Sequence, residues 1–254
     1  MISPEVEIAI KKAGELLHSA RHGVVLTGAG ISTPSGIPDF RSRKTGLWTR
    51  DDPIQVASLT AFRKRPEVFF NWLRPLAQKM WQARPNAAHI GLAELESAGL
   101  IKAIITQNID GLHQEAGAQK VLEVHGSARS ASCIACRKSY PEASFRQVLL
   151  EGGIPHCPVC QTILKPDIVL FEELLPTDVW EEAQWYCEHA DVMLVVGSSL
   201  EVVPAGGLPY TAVENGARLI INTLSETYLD QQAAFLFPYD VVEIVPKLQA
   251  AALA

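Results

Sequence analysis

Four short runs of the chain are apolar without alternation: GVVLTGAG from residue 23, LIKAIITQN from 100, ADVMLVVGSS from 190 and GARLIINT from 216. A run of this length that stays apolar on consecutive residues predicts a strand buried on both faces. Helical patterns lie between the runs. Residues 5–20 are rich in helix formers and bring Ile8, Ala9, Leu16 and Leu17 near one face. NAAHIGLAELESAG precedes the second run, with Asn86 placed as an N-cap. TDVWEEAQWYCEH precedes the third and AGGLPYTAVEN the fourth. Strands alternating with helices predict βα units and a parallel sheet. Each strand runs straight into a small or polar cluster: Gly28-Ala29-Gly30, Gln107-Asn108, Gly197-Ser198-Ser199 and Asn222-Thr223. In a parallel sheet these clusters share the carboxyl edge, where such proteins bind ligands.

Two segments break the grammar. Residues 41–84 carry charges, prolines and aromatics but no strand signal, and 128–165 hold four of the five cysteines. The expectation is an α/β fold in a single unit of 1–254. A Rossmann-like parallel-sheet domain comes from 1–40, 85–127 and 166–254, and a smaller lobe from a helical insertion (41–84) and a zinc-binding insertion (128–165). At 48% hydrophobic and 20% charged, the composition supplies ample core. A formal net charge of −6 gives no electrostatic reason to bind nucleic acid. The first residues lack a signal peptide's basic, apolar and small-residue regions, and the longest apolar runs are strand-sized. No membrane partner is expected, and a cytoplasmic location is, where cysteines serve as thiols or metal ligands.

Cys133-x-x-Cys136 and Cys157-x-x-Cys160 form two tight turns of the kind that bring four thiolates around tetrahedral zinc. Four sulfurs close the shell, so the site reads as structural. His156 adjoins a ligand but is expected to be a bystander, and Cys187, alone on a helix, a core residue.

Gly28-x-Gly30 after a strand resembles the start of a dinucleotide fingerprint, yet Thr33 stands where its third glycine belongs. Pro34, Gly36 and Pro38 oppose an immediate long helix, and no second strand ending in an acid follows. What remains is a phosphate-sized backbone nest and a long loop ending in Asp39-Phe40-Arg41. Gln107, Asn108 and Asp110 fall at one strand end and His125 at another. Each alone is an ordinary structural residue; together at one edge they predict a site.

These residues, with the strings GAGIS (28–32), SGIPDFRS (35–42), TQNIDGLHQEAG (106–117), HGS (125–127), KPDIVLFEE (165–173) and GSSLEVVPAGGLP (197–209), resemble the sirtuins, NAD-dependent protein-lysine deacylases. The resemblance covers nearly the whole chain, in the family's motif order. It implies NAD as co-substrate, one structural zinc, and an acylated protein bound as an extended peptide. It implies that Gly28, Ala29, Gly30 and Ile31 line the pyrophosphate and nicotinamide-ribose region. Asp39, Phe40 and Arg41 belong to a mobile cofactor loop. Gln107, Asn108, Ile109 and Asp110 hold the nicotinamide and ribose end. Gly197, Ser198 and Ser199 meet the phosphates or adenosine ribose, and Asn222 and Asp240 sit near the adenosine half. It further implies cleavage of NAD at the nicotinamide bond, with Asn108 assisting and His125 as general base, so that the acyl group passes to ADP-ribose. The peptide would lie between VLFEE and LEVVP, touching Val169, Phe171, Glu172 and Val202.

The chain departs from the family in two places. Where the family often has Phe-Gly-Glu, this chain has Phe171-Glu172-Glu173, so Glu172 is expected to restrict backbone torsions or favour basic flanking residues. The branch acting on succinyl and malonyl groups carries a Tyr and an Arg three residues apart; EVFFNWLRP offers Phe70 and Leu73, with Arg74 one place away. A buried acidic acyl group would lack partners, which favours acetyl or longer neutral groups. Two alternatives remain from the sequence: an NAD or ADP-ribose sensor without deacylase activity, and a mono-ADP-ribosyltransferase. An NAD-linked dehydrogenase is disfavoured by the missing third glycine and ribose-binding acid.

Overall fold

The structure is a computed structural model that describes residues 2–39, 46, 49 and 51–254. The chain opens with α1 (Pro4–His18), started by the Ser3 hydroxyl and Pro4 and carrying Glu5 and Glu7 in its first turn. The first apolar run is β1 (Gly23–Thr27), buried at all five positions. Among the described residues of the first insertion, three helices follow: α2 (Pro53–Val56), α3 (Leu59–Lys64) and α4 (Pro66–Gln82). Next come α5 (Ala87–Ser97), β2 (Ile101–Thr106), the single turn α6 (Leu112–Glu115) and β3 (Val121–Glu123). The cysteine segment holds β4 (Gly126–Cys133), β5 (Ser139–Pro141), α7 (Arg146–Leu150) and β6 (Leu164–Ile168). The remainder is α8 (Thr177–Glu188), β7 (Val192–Val196), α9 (Leu208–Glu214), β8 (Arg218–Asn222), β9 (Phe235–Phe237) and α10 (Val241–Leu253).

Six strands form one parallel sheet in the order β3-β2-β1-β7-β8-β9, with the order reversing beside the central β1. The unbroken apolar runs have a direct cause: successive residues enter opposite cores. On β7, Val192, Leu194 and Val196 pack with α1, α5 and α10, while Met193 and Val195 pack with α8 and α9. Ile220 on β8 joins the first core, and Leu219 and Ile221 the second. Cys187 is fully buried in the second core, as expected. A separate three-stranded antiparallel sheet, β5-β4-β6, carries Cys133 at the end of β4, with Cys136, Cys157 and Cys160 in the connecting segments. A third core gathers Phe62, Phe69, Phe70, Leu73 and Leu76 of the helical insertion with Leu149 and Ile168. No helix among the described residues is long and apolar enough to cross a membrane.

Two details differ from the sequence reading. α1 buries Ile10, Ala13, Gly14 and Leu17 and packs Ala9 and Leu16 partly buried beside them, so Leu17, Leu16 and Ala9 face the core as expected while Ile8 is 58% exposed. The cause is α10: a β-carbon on Gly14 would come within 2.4 Å of Ala251 Cβ, so the smallest residue of α1 marks the contact line. The sheet also has an edge strand, β9, that the four long runs did not announce.

Candidate active site and metal centre

The carboxyl ends of the strands open into a cleft of about 1120 Å³. Gly28, Ala29, Gly30, Asp39, Gln107, Asn108, Ile109, His125, Val169, Phe171, Glu172, Gly197, Ser198, Ser199, Val202 and Asp240 all line it. Ile31, Asp110 and Asn222 do not line it. Ile31 is a core residue whose carbonyl accepts from Asn86 Nδ2 at 2.8 Å. Phe40 and Arg41 lie outside the described residues. Trp72, Leu76 and Ile168 add apolar wall, and Thr223, Leu224, Ser225 and Glu226 line the side beyond β8. The sequence reading named Thr223 only as part of a polar strand end.

The glycines serve contact between loops. Gly30 N–H donates to Gly197 O at 2.8 Å, Gly28 N–H to Val196 O at 3.1 Å, and Ile31 N–H to Gly28 O at 3.1 Å. A β-carbon on Gly30 would sit 2.7 Å from Gly197 O, and one on Gly197 (φ 63°) 2.3 Å from Ile31 N. Three of the four amides at 28–31 are therefore spent within the protein, so the backbone nest expected from the sequence is largely closed. Two short 3-10 turns (Ala29–Ile31 and Thr33–Ser35) replace the long helix that a dinucleotide fingerprint would lead into.

His125 lies half-buried after β3. Its Nδ1 is 3.0 Å from Gln107 O. A carbonyl only accepts, so Nδ1 carries the hydrogen of the neutral ring and Nε2 keeps its lone pair. Gln107 is itself fixed, its Nε2 donating to Ser198 Oγ at 3.0 Å. Asn108 is buried, and its Nδ2 donates to Gly28 O and to Ser32 Oγ, each at 3.1 Å. Both amide hydrogens are used, which leaves the side-chain oxygen to meet a ligand.

Beneath Asn108 runs a network that joins Asp110, expected from the sequence, to Ser32, His89, Thr27 and His113, which were not. Ser32, 1% exposed, donates to Asp110 Oδ2 at 2.7 Å, and Asp110 Oδ1 accepts from Leu112 N–H at 2.9 Å. Burial pushes the Asp110 carboxyl up, against the bonds from Leu112 and Ser32 and the charge of Arg129. His89 Nδ1 accepts from Asn86 N–H at 3.3 Å, so its Nε2–H faces Ser32 Oγ at 3.5 Å. Thr27 donates to Thr106 Oγ1 at 2.8 Å and so accepts from His113 Nε2–H at 2.9 Å; Thr106 Oγ1 also receives Asn108 N–H at 3.1 Å. Both histidines are held neutral. Burial brings His89 down to about 4, and burial with the neighbouring His89 brings His113 down to about 3. Ser32 stands inside the GAGIS string, and that was its only signal.

At the far end of the cleft, Asp240 caps α10 through Val242 N–H at 3.1 Å. Asn222, fully buried, donates to Phe237 O and Tyr239 O, and its Oδ1 is buried without a hydrogen-bond partner. Asn222 therefore braces the β8 end from beneath, while Thr223, next in the chain, lines the cleft.

The four cysteines converge. Their sulfurs all lie within 4.8 Å of one another, with Cys133–Cys160 at 3.4 Å and Cys136–Cys157 at 3.7 Å. Zinc–sulfur bonds of about 2.3 Å in a tetrahedron put sulfurs about 3.8 Å apart, so the donor set fits zinc. The two turns are built alike. Arg137 N–H bonds Cys133 O at 3.0 Å and Gln161 N–H bonds Cys157 O at 2.9 Å, and Arg137 and Gln161 have φ of 62° and 60°. His156 is outside the cluster, its Nδ1 bonded to Ile154 O at 2.7 Å.

Comparison with known proteins agrees with this geometry. A model of the Sir2 family matches residues 28–204. The chain is 43% identical over 248 residues to the NAD-dependent protein deacylase 2 of Archaeoglobus fulgidus, covering 96% of each. It is 42% identical over 239 residues to the NAD-dependent protein deacetylase of Thermotoga maritima, covering 94% of this chain and 96% of that one. A Sir2 protein solved with a p53 peptide and NAD+ superposes with a TM-score of 0.86 at 41% identity, covering 95% of this chain and 97% of the other.

Proposed function

The chain belongs to the Sir2 family, and on that premise we propose that it removes acetyl or other neutral acyl groups from protein lysine side chains in an NAD-dependent reaction. The products are nicotinamide, O-acyl-ADP-ribose and free lysine. The observation that carries the reading is the joint placement of His125 and Asn108 in one cleft, each with its orientation fixed by a second residue.

Bound NAD supplies the ribosyl electrophile at its nicotinamide bond and the hydroxyl that takes the acyl group. His125 acts as general base through Nε2, with Gln107 O holding the ring in the required tautomer. Asn108 orients the nicotinamide end through its oxygen, held by Ser32 and Gly28. Gly197, Ser198, Ser199 and Asp240 serve the phosphate and adenosine end. Zinc on Cys133, Cys136, Cys157 and Cys160 is structural. In this reading the small lobe, 41–84 with 128–165, and the sheet domain meet at the cleft.

The acyl-lysine enters between residues 169–173 and 201–204. Neutral acyl groups suit the walls. No Lys or Arg is among the described residues that line the cleft, Phe70 and Leu73 are buried in the helical core, and Arg74 is turned away to Leu149 O at 2.6 Å. Among those described residues a buried acyl carboxylate would find no Lys or Arg to pair with.

Mass spectrometry of an acetyl-lysine peptide incubated with the protein tests this. Loss of one acetyl group only when NAD is present, with O-acetyl-ADP-ribose formed, is expected. An unchanged peptide beside bound NAD refutes deacetylation.

A further inference from the structure

The lip of the cleft at 169–173 is fastened by an unusual residue. Its first part is extended: Val169 N–H donates to His125 O at 2.8 Å, Phe171 N–H to Ala57 O at 3.1 Å, and Leu59 N–H to Phe171 O at 3.0 Å. The chain then turns tightly, with Glu173 N–H on Leu170 O at 3.0 Å. The third residue of that turn is Glu172, at φ 74°. This left-handed region favours glycine, and glutamate lacks the short side chain with which Asn or Asp bonds its own backbone there.

The side chain has a structural partner of its own. Glu172 Oε2 accepts from Thr60 N–H, in the helical insertion, at 2.9 Å. The next residue holds the turn from the other direction. Glu173 Oε2 accepts from Leu170 N–H at 2.9 Å and pairs with Lys165 Nζ at 2.8 Å. Two successive carboxylates thus pull the turn opposite ways, one to β6 and one across to α3. From the sequence Glu172 is expected to restrict backbone torsions or to favour basic flanking residues; its φ is 74°, and its carboxylate reaches to the helical insertion.

We infer that Glu172 is a positioning residue for the peptide: its bond to Thr60 fixes the 169–173 lip in the geometry that an added acyl-lysine strand must meet. The inference rests on the deacylase reading of the cleft. A strand that pairs through its main chain needs a partner edge already in place, because ordering that edge at the moment of binding weakens affinity. The tether acts on peptide binding, away from the NAD-binding strand ends, so its loss should appear in one substrate's parameters.

Three variants separate side chain from backbone. Glu172→Ala removes the tether and keeps the unfavourable φ, Glu172→Gly removes both, and Glu172→Gln keeps an acceptor oxygen for Thr60. The readouts are kcat, KM for NAD and for an acetyl-lysine peptide, the Kd of that peptide labelled for fluorescence anisotropy, and the thermal midpoint. Ala and Gly are expected to raise peptide KM and Kd by about fivefold, with kcat and NAD KM within about twofold and Gln close to the parent. Parent-like Kd in both Ala and Gly overturns the inference. So does a weakened Ala with a parent-like Gly, which would assign the effect to the backbone. Equal losses in kcat and NAD KM with a lowered thermal midpoint overturn it as well, since they mark a purely structural role. If the unaltered protein binds the peptide without consuming NAD, the deacylase reading fails alone and Kd still judges Glu172. If it binds no peptide, both fail.

Discussion

Ser32→Ala removes one oxygen from the centre of the buried network. That oxygen donates to Asp110 at 2.7 Å, accepts from Asn108 Nδ2 at 3.1 Å and faces His89 Nε2–H at 3.5 Å. A hydrogen bond to a charged acceptor is worth about 1.5–3 kcal/mol net, and stranding a buried N–H costs about 1–3 kcal/mol. Taking the lower half of each range for partial relaxation gives about 3 kcal/mol, more than a hundredfold in the folding equilibrium. The loss depends on pH. Burial raises the folded-state pKa of Asp110, so the native state binds that proton more tightly than the unfolded chain. Its stabilising contribution is full below the ordinary aspartate value and is lost as pH rises through the raised one. The Ser32 bond opposes that rise. Without it the folded pKa climbs further, and the variant's deficit must grow with pH. Urea unfolding of both proteins at pH 7 and near pH 4 measures this. A deficit under about 1 kcal/mol, or one equal at both pH values, would refute the assigned network. Loss of Asn108 orientation should also lower kcat.

Other outcomes are fixed by the same geometry. His125→Ala should lower deacylation by roughly 10²- to 10⁴-fold with little change in the thermal midpoint, and near-normal turnover would remove the base assignment. Metal analysis should find about one zinc per chain, and Cys133→Ser should lose it and lower the midpoint; full occupancy in that variant contradicts the four-sulfur site. His89 is neutral in the fold with its pKa brought from 6.5 to about 4, so stability is present above pH 6.5 and lost as pH falls toward 4. That shift is worth about 3 kcal/mol, and His89→Gln should flatten the slope of stability between those pH values; an unchanged slope would show that His89 is not the cause.

The central strands were legible because burial on both faces writes itself as unbroken apolar sequence. Asn86 was legible as a cap because the residue type carries the mechanism: its side chain accepts Ala88 N–H at 2.9 Å. β9 was not, because a three-residue edge strand with Phe235 half-buried and Leu236 41% exposed has no run to show. The face of α1 was legible in Ala9, Leu16 and Leu17 but not in the exposure of Ile8, because α10 selects the line of contact. Most cleft residues were read from strand-end position and family motifs. Ser32, whose importance lies in what it bonds across loops, could not be weighed without coordinates.

The order of strands has a consequence for how the molecule is made. β1 is synthesised before either of its two neighbours in the sheet, β2 and β7, with Gly23 set against Ile101 and Val192. Contacts so distant in sequence are slow to form. Until β7 emerges, this wholly buried strand waits with at least one edge unpaired, a state prone to aggregation. The cleft shares that schedule, since Gly28 and Gly30 find their backbone partners only once Val196 and Gly197 arrive.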